Sequence, residues 1–128
     1  MNKKLVWLLT VVLSASVHLA EAQQPEKIPR VGFLRPAASQ DSFVEIFRQE
    51  LKKLGYIEGK NIVFEHRSGS RDQMPNLAAE LVGLQVNIIV ANGADETQAA
   101  KNATSAIPIV MTSSTDPVGL GFVNSLWP

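Results

Sequence analysis

The candidate functional residues of this chain are small and polar, and they do not form a catalytic set. Hydroxyl and amide groups, one carboxylate and two small residues follow predicted strands: Ser39, Asn92, Gly93, Ala94, Thr97, Thr112, Ser114 and Asp116. Hydroxyl and amide groups both donate and accept hydrogen bonds, and glycine permits close approach of the backbone to a ligand. These residues are suited to bind a small polar or zwitterionic solute without changing it chemically. Capping of helices or shaping of turns is the alternative role of Ser39, Thr112 and Asp116.

Enzymatic chemistry is poorly supported by the motifs. The segment after the first predicted strand reads Arg35-Pro36-Ala37-Ala38-Ser39-Gln40, which is not the G-x-G-x-x-G of a dinucleotide site. No P-loop, no G-x-S-x-G nucleophile motif and no His/Asp/Glu cluster with metal spacing occurs. His66 has no partner near it in sequence and is predicted to be a surface or half-buried strand residue. We therefore expect no catalytic residue, no metal and no cofactor.

The hydrophobic pattern predicts alternating strands and helices that would position these residues. Apolar runs predict four strands, and apolar residues at helical spacing predict the helices between them. The predicted order is strand Arg30–Leu34, helix Phe43–Leu54, strand Asn61–Arg67, a helix through Leu77–Val82, strand Val86–Ala91, helix Thr97–Thr104, strand Ile107–Met111 and a helix starting at Pro117. This order predicts an α/β fold with a parallel sheet and helices on both faces.

Several residues are expected to begin or end these helices. Ser42 and Glu45 have capping-box spacing, and Asp41 also suits the positive end of the first helix. Gly55 is predicted to end that helix in a left-handed conformation. Asp72 is a plausible cap of the second helix, and Asp116 precedes Pro117 as an N-cap.

The carboxyl ends of parallel strands share one edge of a sheet, which is where ligands bind in open α/β folds. Four loops are therefore predicted to line one rim: Arg35–Gln40, Ser68–Gln73, Asn92–Glu96 and Thr112–Asp116. Backbone N–H groups at the helix N-termini would add an anion site there.

The N-terminus is typical of a secretory signal peptide. Lys3 and Lys4 precede a largely apolar stretch, and Ala20-Glu21-Ala22 fits a small-x-small cleavage site. We predict cleavage after Ala22, a signal peptide over 1–22, a flexible leader over 23–29 and an α/β lobe over 30–128. The chain has no cysteine, so it has no disulfide, and an exported chain without disulfides suits the periplasm.

Charge gives no support for nucleic-acid binding. Loss of the signal peptide removes Lys3, Lys4 and Glu21 and leaves 10 basic and 11 acidic residues. Such a balance lacks the basic surface that nucleic-acid-binding proteins carry.

Several motifs together resemble the ABC-transporter substrate-binding family that includes tryptophan- and tyrosine-binding proteins. They are Val31-Gly32-Phe33-Leu34, Leu54-Gly55-Tyr56, Glu58-Gly59-Lys60-Asn61, Leu77-Ala78-Ala79-Glu80-Leu81-Val82, Ile107-Pro108-Ile109-Val110 and Asp116-Pro117-Val118-Gly119. The resemblance implies a type I periplasmic binding protein, whose two Rossmann-like lobes close on a small-molecule solute that an inner-membrane ABC permease then receives. It places Ser39, Asn92–Asp95 and Thr112–Asp116 in the first lobe's share of the cleft.

The sequence departs from that family in two places. Gly93-Ala94-Asp95 stands where the family usually has Gly-Thr-Pro, so a ligand-facing hydroxyl is missing at Ala94. The chain also ends at Trp127-Pro128, where the family continues into a second lobe, and this favours a truncated first lobe with little or no transport function. Two alternatives are an extracytoplasmic ligand-sensing module of the same fold and, with less support, a secreted α/β hydrolase.

Overall fold

The computed structural model describes residues 2–4, 27–113 and 116–124, and its centre is a four-stranded sheet. The strands are β1 (Arg30–Pro36), β2 (Val63–Gly69), β3 (Ile88–Ala91) and β4 (Ile109–Met111). All three strand pairs are parallel, and the order across the sheet is β2-β1-β3-β4. The predicted α/β fold class with a parallel sheet is confirmed.

Three helices connect the strands. They are α1 (Ser42–Lys53), α2 (Met74–Gly83) and α3 (Ala94–Ala103), and a 3₁₀ turn over Arg71–Gln73 leads into α2. The observed elements differ from the predicted ones by a few residues at their ends. Both α2 and α3 begin three residues before the first residue predicted for them, at Met74 and at Ala94.

Alternation of side chains along β1 divides the core between the two faces of the sheet. Val31 and Phe33 point to the α1 face, where they join a cluster with Val44, Phe64 and Val90. On the opposite face a second cluster contains residues of β1, α2, β3 and α3: Leu34, Met74, Ala78, Leu81, Ile89 and Ala100 among them. Helices therefore cover both faces, as predicted, and leave the carboxyl ends of the strands accessible.

Of the caps predicted for α1 and α2, the Ser42–Glu45 capping box and the Asp72 cap are wrong, and the end of α1 at Gly55 is confirmed. The N-cap of α1 is Asp41, but no side chain caps this helix, because the Asp41 carboxylate accepts a hydrogen bond from Arg35 instead. Asp72 does not cap α2: Ser70 and Gln73 form a capping box at the 3₁₀ turn. Gly55 follows α1 with φ of +90°, and its N–H donates to Lys52 O, as expected for a helix end.

The predicted helix at Pro117 is wrong within the described residues, where the chain makes a single turn over 117–121. Asp116 does cap this turn, since its Oδ1 accepts the Gly119 N–H at 2.8 Å. Gly121, with φ of +70°, ends it by donating its N–H to Val118 O. The cap at Asp116 was therefore correct, but the helical continuation was not.

Except for residues 2–4, the predicted signal peptide lies outside the described residues, as do most of the leader, Ser114, Trp127 and Pro128. In the part of the chain that the structure describes, no helix has the length and apolar composition needed to cross a bilayer.

Candidate functional site

An open groove of about 470 Å³ lies at the carboxyl ends of three adjacent strands. We call it the rim groove, and its lining comes from the loops after β1, β2 and β3: Pro36, Ala37, Ala38, Gly69, Ser70, Arg71, Gly93, Ala94, Asp95 and Glu96. Three of the four loops predicted to line one rim therefore meet here. The position is the usual one for a ligand in an open α/β sheet.

Backbone hydrogen bonds fix the first two walls of the groove. The Ala37 N–H donates to Gly69 O at 2.9 Å and joins the loops after β1 and β2. The Ser70 N–H donates to Gln73 Oε1 at 2.9 Å, which fixes the 3₁₀ turn that carries Arg71. Both walls are therefore mainly backbone held by hydrogen bonds, and Arg71 is the only long side chain in the lining that they contribute.

The third wall is the N-terminus of α3, where Gly93 is the N-cap. Gly93 has φ of +132° and ψ of 169°, a region that residues with a Cβ rarely adopt. Its carbonyl accepts hydrogen bonds from the Thr97 N–H at 3.1 Å and from the Thr97 hydroxyl at 2.7 Å. Gly93 has no side chain with which to cap α3, and the Glu96 carboxylate is the side-chain group that bonds to a backbone N–H in its first turn.

A buried carboxylate stands at this wall. Glu96 is 5% exposed, lines the groove and places its Oε2 where a Cβ on Gly93 would lie. Burial raises the pKa of Glu96, the neighbouring Asp95 charge raises it further, and a hydrogen bond with its own backbone opposes the shift. No cation within the described residues forms an ion pair with Glu96, whereas seven other ion pairs occur there.

An ion pair crosses the mouth of the groove. Arg71 Nη2 lies 2.7 Å from Asp95 Oδ1, and the side chains are 82% and 43% exposed. Exposed pairs of this kind contribute little to stability. The pair therefore joins the loop after β2 to α3 through a contact that a ligand can displace at low cost.

The structure brings together only some of the predicted site residues. Gly93 and Ala94 line the groove, and the Thr112 hydroxyl lies 3.3 Å from Asn92 Oδ1 beside it. Thr97 is 1% exposed and its hydroxyl is bonded to the backbone. Ser39 bonds to Pro36 O and Asp116 to the Gly119 N–H, which are the turn-shaping roles weighed for them above.

Sequence reasoning placed the loops that contain Arg71, Asp95 and Glu96 on the rim, but it did not select these three residues as site residues. Asp95 and Glu96 carried a usable signal, because two carboxylates directly after a buried strand and a glycine lie at a helix N-terminus. Arg71 could not be found in this way, since its position depends on the 3₁₀ turn.

A second polar depression, of about 250 Å³, lies between α1 and the sheet. We call it the α1 pocket, and its lining is Arg35, Asp41, Val44, Glu45, Arg48 and His66. Ion pairs hold its charges: Arg35 with Asp41 at 3.0 Å, and Arg48 with Glu45 and with Glu58. Both carboxylates raise the pKa of Arg48, Glu58 more than Glu45.

His66 lies in this pocket as an exposed residue of β2, in agreement with its predicted place on a strand. Its ring stacks on Phe33 with centroids 5.1 Å apart and planes at 12°. Burial against the pocket, and then the Arg35 charge, lower the pKa of His66. No side-chain hydrogen bond joins His66 to a nucleophile or an acid in the described residues, and these also contain no group of three His, Asp or Glu suited to a metal.

Comparison with known proteins gives consistent relatives. Residues 36–127 match the family described as ABC transporter substrate binding protein. A tyrosine-binding protein of Clostridioides difficile strain R20291 is 38% identical over 91 residues, which are 69% of this chain and 26% of that protein.

Solved structures show the same fold. A ligand-free, open substrate-binding protein with adhesive properties from Clostridium difficile superposes with a TM-score of 0.72 at 27% identity, over 77% of this chain and 35% of that one. A conserved domain protein from Vibrio cholerae gives a TM-score of 0.68 at 32% identity, over 78% and 35%. A Streptococcus pneumoniae ABC domain in complex with L-Trp shares the fold at 20% identity, with a TM-score of 0.67 over 77% and 34%.

This chain thus spans about a quarter of the curated relative and about a third of each solved chain. The family match covers well over half of this chain and includes every lining residue of the rim groove. The chain belongs to the ABC transporter substrate-binding protein family.

Proposed function

We propose that this chain is the first lobe of an exported solute-binding component of an ABC importer and that the rim groove is its share of the solute site. The single observation that carries the proposal is the groove itself, in which loops after three parallel strands meet at the N-terminus of α3. The second wall would come from the region of the relatives that this chain does not cover. A permease of the inner membrane would be its partner.

We further propose an amino acid as the solute. The tyrosine-binding relative supports this class, and the groove offers both donors and carboxylates within one small site. A zwitterion needs groups of both signs, and main-chain N–H groups, Arg71 and Glu96 supply them. The missing hydroxyl at Ala94 removes one polar contact and leaves this part of the wall apolar.

The test is a titration of the 128-residue chain followed by amide NMR, with L-tyrosine, L-tryptophan and, as a non-zwitterionic control, D-glucose. A single wall binds weakly because it buries only part of a ligand, so we expect changes in amide chemical shifts at millimolar ligand concentration. The shifts should concentrate at Ala37, 69–71 and 93–96. Shifts spread over α1 and the α1 pocket, or none with either amino acid, would overturn the proposed site.

A matched pair of variants sharpens this test. Ala94→Arg puts a long side chain into the groove, whereas Gln98→Arg adds the same charge one turn later on α3, outside the groove lining. Both positions are exposed, so both variants should fold. The first should abolish the amino-acid shifts and the second should leave them unchanged.

Export is tested separately. The chain is produced in a Gram-negative host and the N-terminus of the product is determined. Cleavage after Ala22 predicts a periplasmic product that starts with Gln23, and Ala22→Arg should block processing. An unprocessed cytoplasmic product from the unchanged sequence would refute the proposed export.

A further inference from the structure

We propose that Asn92 and Gly93 form a site of spontaneous chemical modification, at which the side-chain amide of Asn92 is converted to aspartate and isoaspartate. Asparagine is a chemically labile residue, and a following glycine, which has no Cβ, leaves the approach to its amide carbon open. Of the asparagines in the sequence, only Asn92 precedes a glycine. The inference is independent of the proposed solute site.

The reaction joins two groups of this dipeptide and consumes water. The Gly93 nitrogen gives its proton to water or hydroxide and bonds to Asn92 Cγ, and the Cγ–Nδ2 bond breaks with release of ammonia. Water then opens the cyclic imide at Cγ to give aspartate, or at the main-chain carbonyl carbon to give isoaspartate. The sum is hydrolysis of an amide to a carboxylic acid and ammonia, and nothing is oxidised or reduced.

The attacking nitrogen is available because the fold does not use its N–H. In the described part of the chain no acceptor takes the Gly93 N–H, whereas the Asn92 N–H donates to Leu34 O at 3.0 Å. The Gly93 carbonyl is engaged, since it accepts both the N–H and the hydroxyl of Thr97. The reaction of the Gly93 nitrogen therefore breaks no hydrogen bond of the described fold.

The amide carbon that is attacked also has a favourable environment. The Thr112 hydroxyl lies 3.3 Å from Asn92 Oδ1 and 3.4 Å from Ala91 O, and it donates to these two acceptors. A donor at Oδ1 stabilises the negative charge that develops on this oxygen during attack at Cγ. Asn92 and Gly93 are both partly exposed, so water and hydroxide reach the site.

Two other asparagines of the described chain serve as internal controls. Asn87 precedes Ile88 at the start of β3, and Asn76 precedes Leu77 inside α2. The side chains of Ile88 and Leu77 obstruct the approach to the amide carbon, and regular secondary structure restrains the backbone at both places. Both asparagines should persist where Asn92 is converted.

The conversion would change the third wall of the rim groove, to which Gly93 belongs. Aspartate adds a negative charge next to the turn that carries Asp95 and Glu96. Isoaspartate also lengthens the main chain by a methylene between β3 and α3. The amide signals of 91–97 should therefore shift in an aged sample.

The test is ageing of the 128-residue chain at mildly alkaline pH, followed by digestion with trypsin and mass spectrometry. Trypsin releases residues 72–101 as one peptide, which contains Asn76, Asn87 and Asn92. Conversion at Asn92 should be complete while the other two remain amides, and an isoaspartate methyltransferase should label the aged chain but not the fresh one. Persistence of the Asn92 amide, or conversion no faster than at Asn87, would overturn the inference.

Two variants and a sample aged in urea identify what the fold contributes. Asn92→Gln, which moves the amide one methylene away from the main chain, should lose the conversion. Thr112→Val keeps the shape without the hydroxyl, and it should slow the reaction of the folded chain by about two- to ten-fold, as expected for loss of one hydrogen bond. In urea Thr112→Val and the parent should react equally. Conversion of Asn92 in urea alone would mean that the fold protects the dipeptide, contrary to the proposal, and equal rates of the two folded chains would overturn the part assigned to Thr112.

Discussion

The α1 pocket and the rim groove both contain charged residues, and they differ in how these charges are paired. In the α1 pocket, Arg35 is paired with Asp41, Arg48 is paired with Glu45 and Glu58, and His66 stacks on Phe33. One buried atom there, Arg35 Nε, has no partner within the described chain, but the guanidinium charge is met. In the rim groove, the buried Glu96 has no cation.

The comparison distinguishes polarity that supports the fold from polarity available to a ligand. The α1 pocket is joined to the aromatic core through His66, which stacks on Phe33, and Phe33 makes edge contacts with Phe47 and Phe64. The walls of the rim groove are loop backbone and the first turn of α3. Substitutions at the α1 pocket should therefore change the stability of the fold, and substitutions at the rim groove should change ligand binding.

The largest expected effect is the loss of Phe33. Phe33→Ala should lower the free energy of unfolding by about 3–5 kcal/mol, because it removes a fully buried ring from the α1-face core. Arg71→Ala in the groove should change it by less than about 0.5 kcal/mol, since that side chain is 82% exposed. Urea unfolding measures both. A large loss from Arg71→Ala would mean that the groove is structural, contrary to the comparison.

The next effect concerns Gly93, whose backbone positions Glu96. Gly93→Ala should cost about 2–4 kcal/mol, because the left-handed φ strains the new residue and its Cβ meets the Glu96 carboxylate. In a Glu96→Ala background the clash disappears, and the cost should fall to the backbone part, about 1–3 kcal/mol.

Gly83→Ala is the matched control for this prediction. A Cβ there meets nothing within 4 Å, and the residue ends α2 without a left-handed φ. It should be neutral or stabilise the protein by up to about 1 kcal/mol. Equal costs of Gly93→Ala in the two backgrounds would show that Glu96 does not occupy the space above Gly93.

The fold was predictable because its signals are local and repeated. Runs such as Ile88-Ile89-Val90 mark buried strands, and apolar residues at helical spacing in α1 and α2 mark the faces that cover them. Gly55 was predictable for the same reason, since an αL residue after a helix is a local property. The strand–helix alternation then restricts the topology to a parallel sheet.

The site was less predictable, because short polar side chains have competing local partners. Ser39 and Asp116 make hydrogen bonds within turns, and the Asp41 carboxylate bonds to Arg35, six residues earlier, and does not cap its helix. The hydrogen-bond partner of a short polar side chain depends on which groups the fold brings close to it. Glu96 became a candidate only when its burial and its place above Gly93 were known.

A smaller effect tests the groove through pH. The pKa of Glu96 is raised in the folded protein, so the folded state holds this proton more tightly than the unfolded chain. Stability is then lost as the pH rises from below the unfolded value, about 4.3, through the folded value. Glu96→Gln removes this loss, so the urea midpoint of the variant should rise relative to that of the parent protein as the pH increases above about 4.3. A constant difference would mean that Glu96 is not desolvated.

The smallest effect concerns His66, for which the expected pH dependence has the opposite sense. Its pKa is lowered in the folded protein, so the unfolded chain takes up the proton first and stability falls as the pH drops through about 6.5 toward the folded value. His66→Gln should flatten this slope, and an NMR titration of the ring should give a midpoint below the ordinary histidine value. Arg35→Gln should move that midpoint upward, because the Arg35 charge is the second cause of the shift after burial. An unchanged midpoint in Arg35→Gln would place Arg35 too far from His66 to act on it. A midpoint above 6.5 in the unchanged protein would contradict the charge balance assigned to the α1 pocket.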